Sequence, residues 1–280
     1  MPAGYGENIL IKINGIPLKV ENFPDGTPRI KLFPALKFGD NPIFVTWLFD
    51  SMSELFTLQC IADYYKGKEL ILDMPYIPNA RMDRVKNPEE VFTLKSFAKI
   101  INAMGFSNVS VKNAHSDVSA ALIDNIRDTG LNSIENFLNS SFVKVDTIMF
   151  PDTGACKRYS ELSIVKDNFD IVVGEKTRDW KTGQILSLEI NGDPKNIEGK
   201  DILIIDDICS KGGTFKFSAL KLKEMGANKI YLYVTHCENV IDIAALKEAG
   251  IEKVFTTKSI YREEKVTSNG FIEITDLEDH

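Results

Sequence analysis

Hydrophobic and polar positions divide most of the chain into segments of two kinds. Short, nearly continuous apolar runs, such as residues 202–205, are typical of strands buried on both faces of a parallel sheet. Longer segments between them carry apolar residues at helical spacing. This pattern predicts helices near residues 51–66, 91–104, 154–163, 213–225 and 241–249, and strands near residues 69–74, 108–113, 146–151, 169–174, 201–206, 229–235 and 252–257. Because helices and strands alternate, we expect an α/β protein with mostly parallel sheets flanked by helices.

The two halves of the chain resemble each other. Residues 67–73 (GKELILD) are similar to residues 199–206 (GKDILIID). In each half a Met-Gly pair leads through a strand to a histidine, His115 or His236, ten residues after the glycine. The match predicts a duplicated α/β unit, although a glycine between helix and strand is common and two such units can match by chance. We therefore expect two similar domains, residues 1–140 and 141–280.

Composition indicates a globular protein without a general nucleic-acid surface. The chain has 280 residues, of which 44% are hydrophobic and 26% charged. A net charge of −7 argues against a nucleic-acid surface, while it allows a local basic pocket for phosphates. No apolar run approaches the ~20 residues of a membrane helix, and the amino terminus shows no secretory signal, so we expect a cytoplasmic protein with no membrane partner. The four cysteines form no C-x-x-C pair, which argues against zinc and disulfide frameworks.

The clearest candidate site follows the apolar run at 202–205. Asp206 and Asp207 come at the carboxyl end of that predicted strand, where ligands bind in open α/β sheets. Carboxylates can accept hydrogen bonds from vicinal ribose hydroxyls or face a hard cation. The glycine-rich turn at 211–214 (KGGT) offers a lysine and the free N–H groups of the next helix to a phosphate. A sugar phosphate suits this arrangement; the alternative is a tight turn beside a solvated acid pair.

Three more polar segments follow predicted strands. His115 lies in residues 113–117 (NAHSD), where it can bind a metal or a phosphate, or simply bond to backbone. Asp152 lies in residues 150–158 (FPDTGACKR), as a metal ligand or as a helix N-cap. The third segment, PYIPNARMDR, carries Arg81, Asp83 and Arg84, which suit nucleotide phosphates, a stacked base or a surface ion-pair cluster.

A further hydrophilic segment, residues 174–184 (GEKTRDWKTGQ), lies between two predicted strands. It carries three cations, Lys176, Arg178 and Lys181. The segment is either an exposed hairpin or a lid that brings cations onto a transferring phosphoryl group.

Taken together, these segments resemble one family. The chain is similar to ribose-phosphate pyrophosphokinases, also called phosphoribosyl pyrophosphate synthetases, through most of residues 20–260. The stretches that carry the resemblance are FPDGT (23–27), PYIPNARMDR (75–84), NAHSD (113–117), FPDTGACKR (150–158), GEKTR (174–178), DDICSKGGT (206–214) and VTH (234–236). Their order and spacing, rather than any one of them, make the resemblance specific.

The resemblance implies two tandem domains of the type I phosphoribosyltransferase fold and a Mg²⁺-dependent reaction. In that reaction the β,γ-diphosphoryl group of ATP passes to the anomeric hydroxyl of ribose 5-phosphate. It also implies a homo-oligomer, a dimer or a hexamer, whose adenine pocket is shared between subunits. By the same resemblance, the roles are Phe23 and Asp25 in the adenine site, Arg81 and Asp83 on ATP, His115 and Asp152 on the Mg²⁺–triphosphate, Lys176 and Arg178 as mobile catalytic cations, Asp206 and Asp207 on the ribose hydroxyls, and Ser210, Lys211, Gly212, Gly213 and Thr214 around the acceptor phosphate.

The sequence departs from the family pattern at two places. Ser210 and Lys211 replace an acid and a threonine, so the loop is about two charges more positive and suits a more anionic acceptor, such as ADP-ribose. Thr27 replaces an acid in the adenine segment. Two other functions stay open: a phosphoribosyltransferase, which does not require the Arg81 and His115 segments, and an inactive regulatory paralogue, which has no need of Lys176.

Overall fold

The chain folds into two compact α/β units. The computed structural model describes residues 10–140, 143–178 and 185–275. Contacts between Cα atoms divide the chain into residues 1–129 and residues 130–280. The division falls before the expected boundary near residue 141, because the helix that starts at Gly130 packs its Ile134 and Phe137 into the core of the second unit.

The first unit is built on a six-stranded sheet with a separate β-hairpin. Its strands are β1 (Ile11–Ile13), β2 (Ile16–Pro17), β3 (Val20–Asn22), β4 (Pro28–Ile30), β5 (Ile43–Trp47), β6 (Leu70–Asp73), β7 (Asn108–Val111) and β8 (Ile126–Asp128), and its helices are α1 (Glu54–Tyr64), α2 (Thr93–Ala103) and α3 (Asp117–Leu122). The sheet order is β2-β1-β5-β6-β7-β8, in which β5 to β8 are parallel and β1 is antiparallel to both of its neighbours. β3 and β4 form the hairpin.

The second unit is built on a seven-stranded sheet. Its strands are β9 (Thr147–Phe150), β10 (Asp170–Arg178), β11 (Ile185–Asn191), β12 (Ile202–Cys209), β13 (Ile230–Cys237), β14 (Ile251–Thr256) and β15 (Ile272–Ile274), and its helices are α4 (Gly130–Asn139), α5 (Thr153–Tyr159), α6 (Ser163–Asn168), α7 (Gly213–Glu224) and α8 (Ile243–Glu248). The sheet order is β11-β10-β9-β12-β13-β14-β15, and every neighbouring pair except β10–β11 is parallel.

β12 is the buried central strand that its apolar run predicts. Ile202 and Ile204 belong to the core on one face of the sheet, and Leu203 and Ile205 belong to the core on the other. All four residues are fully buried.

The predicted repeat is present in both units. In the first, α2 ends before Gly105 and leads to β7; in the second, α7 ends before Gly226 and leads to β13. Both glycines adopt left-handed backbone, at φ +73° and +88°, which is the usual helix ending. The histidines differ, since His236 lies inside β13 and is buried, whereas His115 follows the end of β7. Among the described residues, no helix is long and apolar enough to cross a membrane.

Candidate active site at the edge of the second sheet

Three neighbouring strands bring the predicted site residues of the second unit together at the carboxyl ends of the parallel strands. β10, β9 and β12 are adjacent, and Asp152 follows β9 while Lys176 lies in β10. Asp206 and Asp207 lie in β12, which runs past them to Cys209. The predicted strand end at residue 206 was therefore too early. Lys176 is likewise strand rather than loop, because residues 173–178 pair with the antiparallel strand β11, as the hairpin alternative requires.

Asp152 and Lys176 form an ion pair. Lys176 Nζ lies 2.9 Å from Asp152 Oδ2, and the lysine side chain is only 7% exposed while the Asp152 side chain is 45% exposed. Asp152 is also the N-cap of α5, since its Oδ1 accepts a 3.0 Å hydrogen bond from Ala155 N–H. Burial raises the pKa of Asp152, but the Ala155 N–H and the Lys176 ammonium together hold it below its ordinary value. The predicted metal ligand and the predicted catalytic lysine are therefore direct partners.

The two acids of β12 have different surroundings. Asp207 is 4% exposed, and its Oδ2 lies 3.3 Å from Nη1 of Arg158 on α5. Arg158 also donates to the buried Tyr159 hydroxyl at 3.5 Å. Asp206 is partly exposed, and its Oδ1 accepts a 2.9 Å hydrogen bond from Asp207 N–H. Burial, reinforced by the negative charges of Asp207 and Asp152, holds the pKa of Asp206 well above its ordinary value.

The turn between β12 and α7 presents a helix N-terminus. Gly212 is the N-cap at φ +87°, and it supplies no side-chain cap to the first turn of the 12-residue helix. A side chain at Gly212 would meet Leu246, whose Cδ2 lies 3.0 Å from the position of a Cβ. The Lys211 carbonyl accepts a 3.2 Å hydrogen bond from Asp242 N–H, which ties the turn to the start of α8. The result is a supported turn whose N–H groups can face an anion.

In the first unit the predicted nucleotide-binding residues lie in loops and in the β3–β4 hairpin. Asp83 and Arg84 form an ion pair, with Asp83 Oδ1 3.0 Å from Arg84 Nε. Arg81 is exposed. His115 is half-buried between β7 and α3.

Phe23 and Asp25 lie in the hairpin turn. Phe23 is 50% exposed. Asp25 Oδ1 accepts hydrogen bonds from the Thr27 hydroxyl at 2.7 Å and from Thr27 N–H at 3.0 Å. These two bonds lower the pKa of Asp25. The threonine that replaces the family acid is therefore an internal partner of Asp25.

Two cations of the segment 174–184 lie partly or wholly outside the described part of the chain. The backbone of Arg178 ends β10, but its side chain lies outside the described part of the chain. Lys181 also falls outside the described residues.

Sequence and structure comparisons identify the family. A family model described as "Phosphoribosyl transferase domain" matches residues 120–273. The chain belongs to the phosphoribosyl transferase domain family. Within this family it is 27% identical over 257 residues to ribose-phosphate pyrophosphokinase 1 of Archaeoglobus fulgidus, covering 89% of this chain and 88% of that protein. It is also 27% identical over 259 residues to the ribose-phosphate pyrophosphokinase of Sulfolobus acidocaldarius, covering 87% and 85%.

A solved structure supports the same architecture for this phosphoribosyl transferase family member. The phosphoribosylpyrophosphate synthetase from Mycobacterium smegmatis superposes with a TM-score of 0.72 at 18% identity, covering 92% of this chain and 85% of that one. This likeness concerns the fold. The predicted fold class, the predicted resemblance to ribose-phosphate pyrophosphokinases and the predicted enzyme class are confirmed.

The donor set in the second unit suits a hard divalent cation that is bound mainly through a substrate. Within residues 10–140, 143–178 and 185–275, no three histidine, cysteine or acidic side chains form a metal-binding group. Mg²⁺ typically takes one or two carboxylates and completes its shell with phosphate oxygens and water. Asp152 is the carboxylate of this set nearest to the role, because its side chain is nearly half exposed while its oxygens accept from Ala155 N–H and Lys176.

Proposed function

We propose that this chain transfers the β,γ-diphosphoryl group of ATP to the anomeric 1-hydroxyl of ribose 5-phosphate, giving phosphoribosyl pyrophosphate and AMP. The observation that carries the proposal is the cluster at one sheet edge, where the Lys176–Asp152 pair, Asp206 and an uncapped helix N-terminus come from adjacent strands. Relatives named ribose-phosphate pyrophosphokinases match along nearly the whole chain and support the same reaction.

The acceptor side is built from Asp206 and the turn that follows β12. Asp206 is the acid of the pair that is more open to solvent, so we assign it to the ribose hydroxyls, with Asp207 behind it against Arg158. The backbone N–H groups of Gly213 and Thr214 start α7, and they would bind the 5-phosphate together with the Ser210 hydroxyl.

The nucleotide-binding residues are assigned unit by unit. Arg81 and Asp83 would hold ATP, and Phe23 and Asp25 would contact adenine. His115 in the first unit and Asp152 in the second unit are each assigned to Mg²⁺–triphosphate, where the ion would supply positive charge as charge develops. The exposed Phe23 in the hairpin suits a pocket completed by another copy of the chain, which supports a homo-oligomer.

Catalysis would depend on position and positive charge. Diphosphoryl transfer moves negative charge onto non-bridging and leaving oxygens, so cations fixed beside those oxygens lower the barrier. Lys176, and Arg178 two residues later in β10, would supply them. Removing one such cation is expected to raise the barrier by about 3–5 kcal/mol.

A second acceptor, ADP-ribose, is favoured by one observation. Lys211 is exposed in the acceptor turn, where it adds a positive charge that a second phosphate would use. ADP-ribose carries the same anomeric hydroxyl, and the product would be ADP-ribose pyrophosphate.

One assay tests the reaction and the acceptor. Purified protein is given ATP and Mg²⁺ with either ribose 5-phosphate or ADP-ribose, and AMP release and the mass of the modified sugar are recorded. We expect AMP only with an acceptor, and an acceptor that gains the mass of two phosphoryl groups. Reaction of a nucleobase with phosphoribosyl pyrophosphate in the absence of ATP would instead identify a phosphoribosyltransferase. No turnover under any of these conditions would refute the proposal.

A further inference from the structure

Asp128 holds the backbone on the N-terminal side of His115. It is the last residue of β8 and pairs in register with Val111 of the neighbouring strand β7. Its Oδ1 accepts a 2.6 Å hydrogen bond from Asn113 N–H, and its Oδ2 accepts a 2.7 Å hydrogen bond from Ala114 N–H. His115 is the next residue in the chain. One carboxylate therefore accepts hydrogen bonds from the backbone N–H groups of the two residues before the histidine.

The backbone conformation at this turn explains the arrangement. Asn113 is 2% exposed and adopts left-handed backbone at φ +59°, which asparagine tolerates better than most residues. Successive N–H groups around such a residue converge into a concave site for an anion. Here the anion is an internal carboxylate, and hydrogen bonds to a charged acceptor are short and strong. The left-handed turn is thus stabilised by a charge from a different strand.

The other side of His115 is held as well. Ser116 is the N-cap of α3, and its hydroxyl accepts a hydrogen bond from Ser119 N–H at 3.3 Å. The histidine therefore lies between a carboxylate-bound turn and a capped helix. Loss of the carboxylate would leave the α3 cap intact but would free the turn that sets the direction of the His115 backbone.

We propose that Asp128 is a positioning residue for the nucleotide site, which acts by fixing the backbone that presents His115. The inference rests on the proposed role of His115 in binding Mg²⁺–ATP. Asp128 itself does not touch the nucleotide in this scheme. Its contribution is to reduce the number of backbone conformations that His115 samples before ATP binds.

The test compares three variants by calorimetric titration with Mg²⁺–ATP and by steady-state kinetics. Asp128→Asn replaces one accepting oxygen with an amide that faces a backbone N–H, and we expect Mg²⁺–ATP affinity to fall about three- to tenfold with the KM for the acceptor unchanged. Asp124→Asn, an exposed acid before the other end of β8, is the matched control and should bind ATP like the native chain. His115→Ala should weaken ATP binding at least as much as Asp128→Asn.

The outcomes separate this inference from the proposed reaction. If Asp128→Asn lowers the unfolding temperature but binds Mg²⁺–ATP with native affinity, the residue is only structural and the inference is wrong. The same conclusion holds if the acceptor KM rises in parallel with the ATP dissociation constant. Should Asp128→Asn fail to fold, Asp128→Ser, which removes the carboxylate altogether, is titrated in its place, and native ATP affinity in that variant would likewise overturn the inference. Because titration needs no turnover, an inactive native protein would overturn the reaction alone.

Discussion

The ion pair between Lys176 and Asp152 links the stability of the second unit to its proposed chemistry, and a double-mutant cycle can measure it. Asp152→Asn removes the charge but keeps an accepting oxygen at the N-cap of α5, because asparagine caps helices as well as aspartate does. Lys176→Met removes the ammonium and keeps an unbranched apolar side chain. The two single variants and the double variant therefore isolate the charge interaction from the helix cap.

The exposed fractions of the two side chains set the expected magnitude. Exposed ion pairs contribute about 0–1 kcal/mol, whereas breaking a buried pair costs about 3–5 kcal/mol. Here the lysine is 7% exposed and the aspartate 45% exposed, so the pair lies between these limits. We expect a coupling free energy of about 1–2 kcal/mol. Asp152→Asn should cost more than Lys176→Met, because it leaves a nearly buried ammonium without its carboxylate.

The same pair gives a pH dependence with a defined sign. The pKa of Asp152 is lower in the folded chain than its ordinary value of 3.8, because the Ala155 N–H and Lys176 outweigh the opposing effect of burial. Its contribution to stability is therefore complete above about pH 4 and is lost as the pH falls through the folded pKa. Native protein should therefore lose more stability than Asp152→Asn does as the pH falls below about 4.

Urea unfolding, combined with hydrogen exchange of the α5 and β10 amides, measures these free energies in the second unit. Exchange is needed because two compact units can unfold in separate steps. A coupling within about 0.3 kcal/mol of zero, the usual range for independent sites, would show that the pair does not hold Lys176 in solution. Equal acid sensitivity of the native protein and Asp152→Asn would refute the pH argument.

Two further predictions concern the acceptor side. Gly212→Ala should destabilise the protein by about 1–3 kcal/mol in urea unfolding, because the added Cβ would lie 3.0 Å from Leu246 Cδ2 and the residue has φ +87°. Its matched control is Gly213→Ala, whose added Cβ would have no atom within 4 Å and which should not destabilise the protein. Arg158→Gln should lower the free energy of unfolding by about 2–3 kcal/mol in the same measurement, because it removes the cation that pairs with the buried Asp207 carboxylate. Its control is Lys166→Gln, at an exposed ion pair with Glu161, which should change the free energy of unfolding by less than about 0.5 kcal/mol.

The regular elements around the second site could be predicted from the sequence because their patterns are strong. β12, β13 and α7 occur close to the predicted ranges, with β12 and β13 continuing a few residues further. The sequence pattern did not predict β1, β2, β3, β4, β5, β8, β11 and β15. Of these, β1 and β2 have only three and two residues and depend on antiparallel pairing for their place in the sheet. The polar end of β10 was predicted as a loop for a similar reason, because its strand conformation depends on β11.

The site shows where a linear motif stops being informative. Adjacent acids read as one functional unit in the sequence, and the two carboxylates do interact with each other. Their surroundings differ, because Arg158 on α5 neutralises Asp207 while Asp206 stays partly exposed. The acid pair could be read from the sequence, but the extent of the strand and the cation on α5 could not. Asp128, the proposed positioning residue, lies more than ten residues after the NAHSD segment. Only the pairing of β7 with β8 brings its carboxylate to the turn before His115.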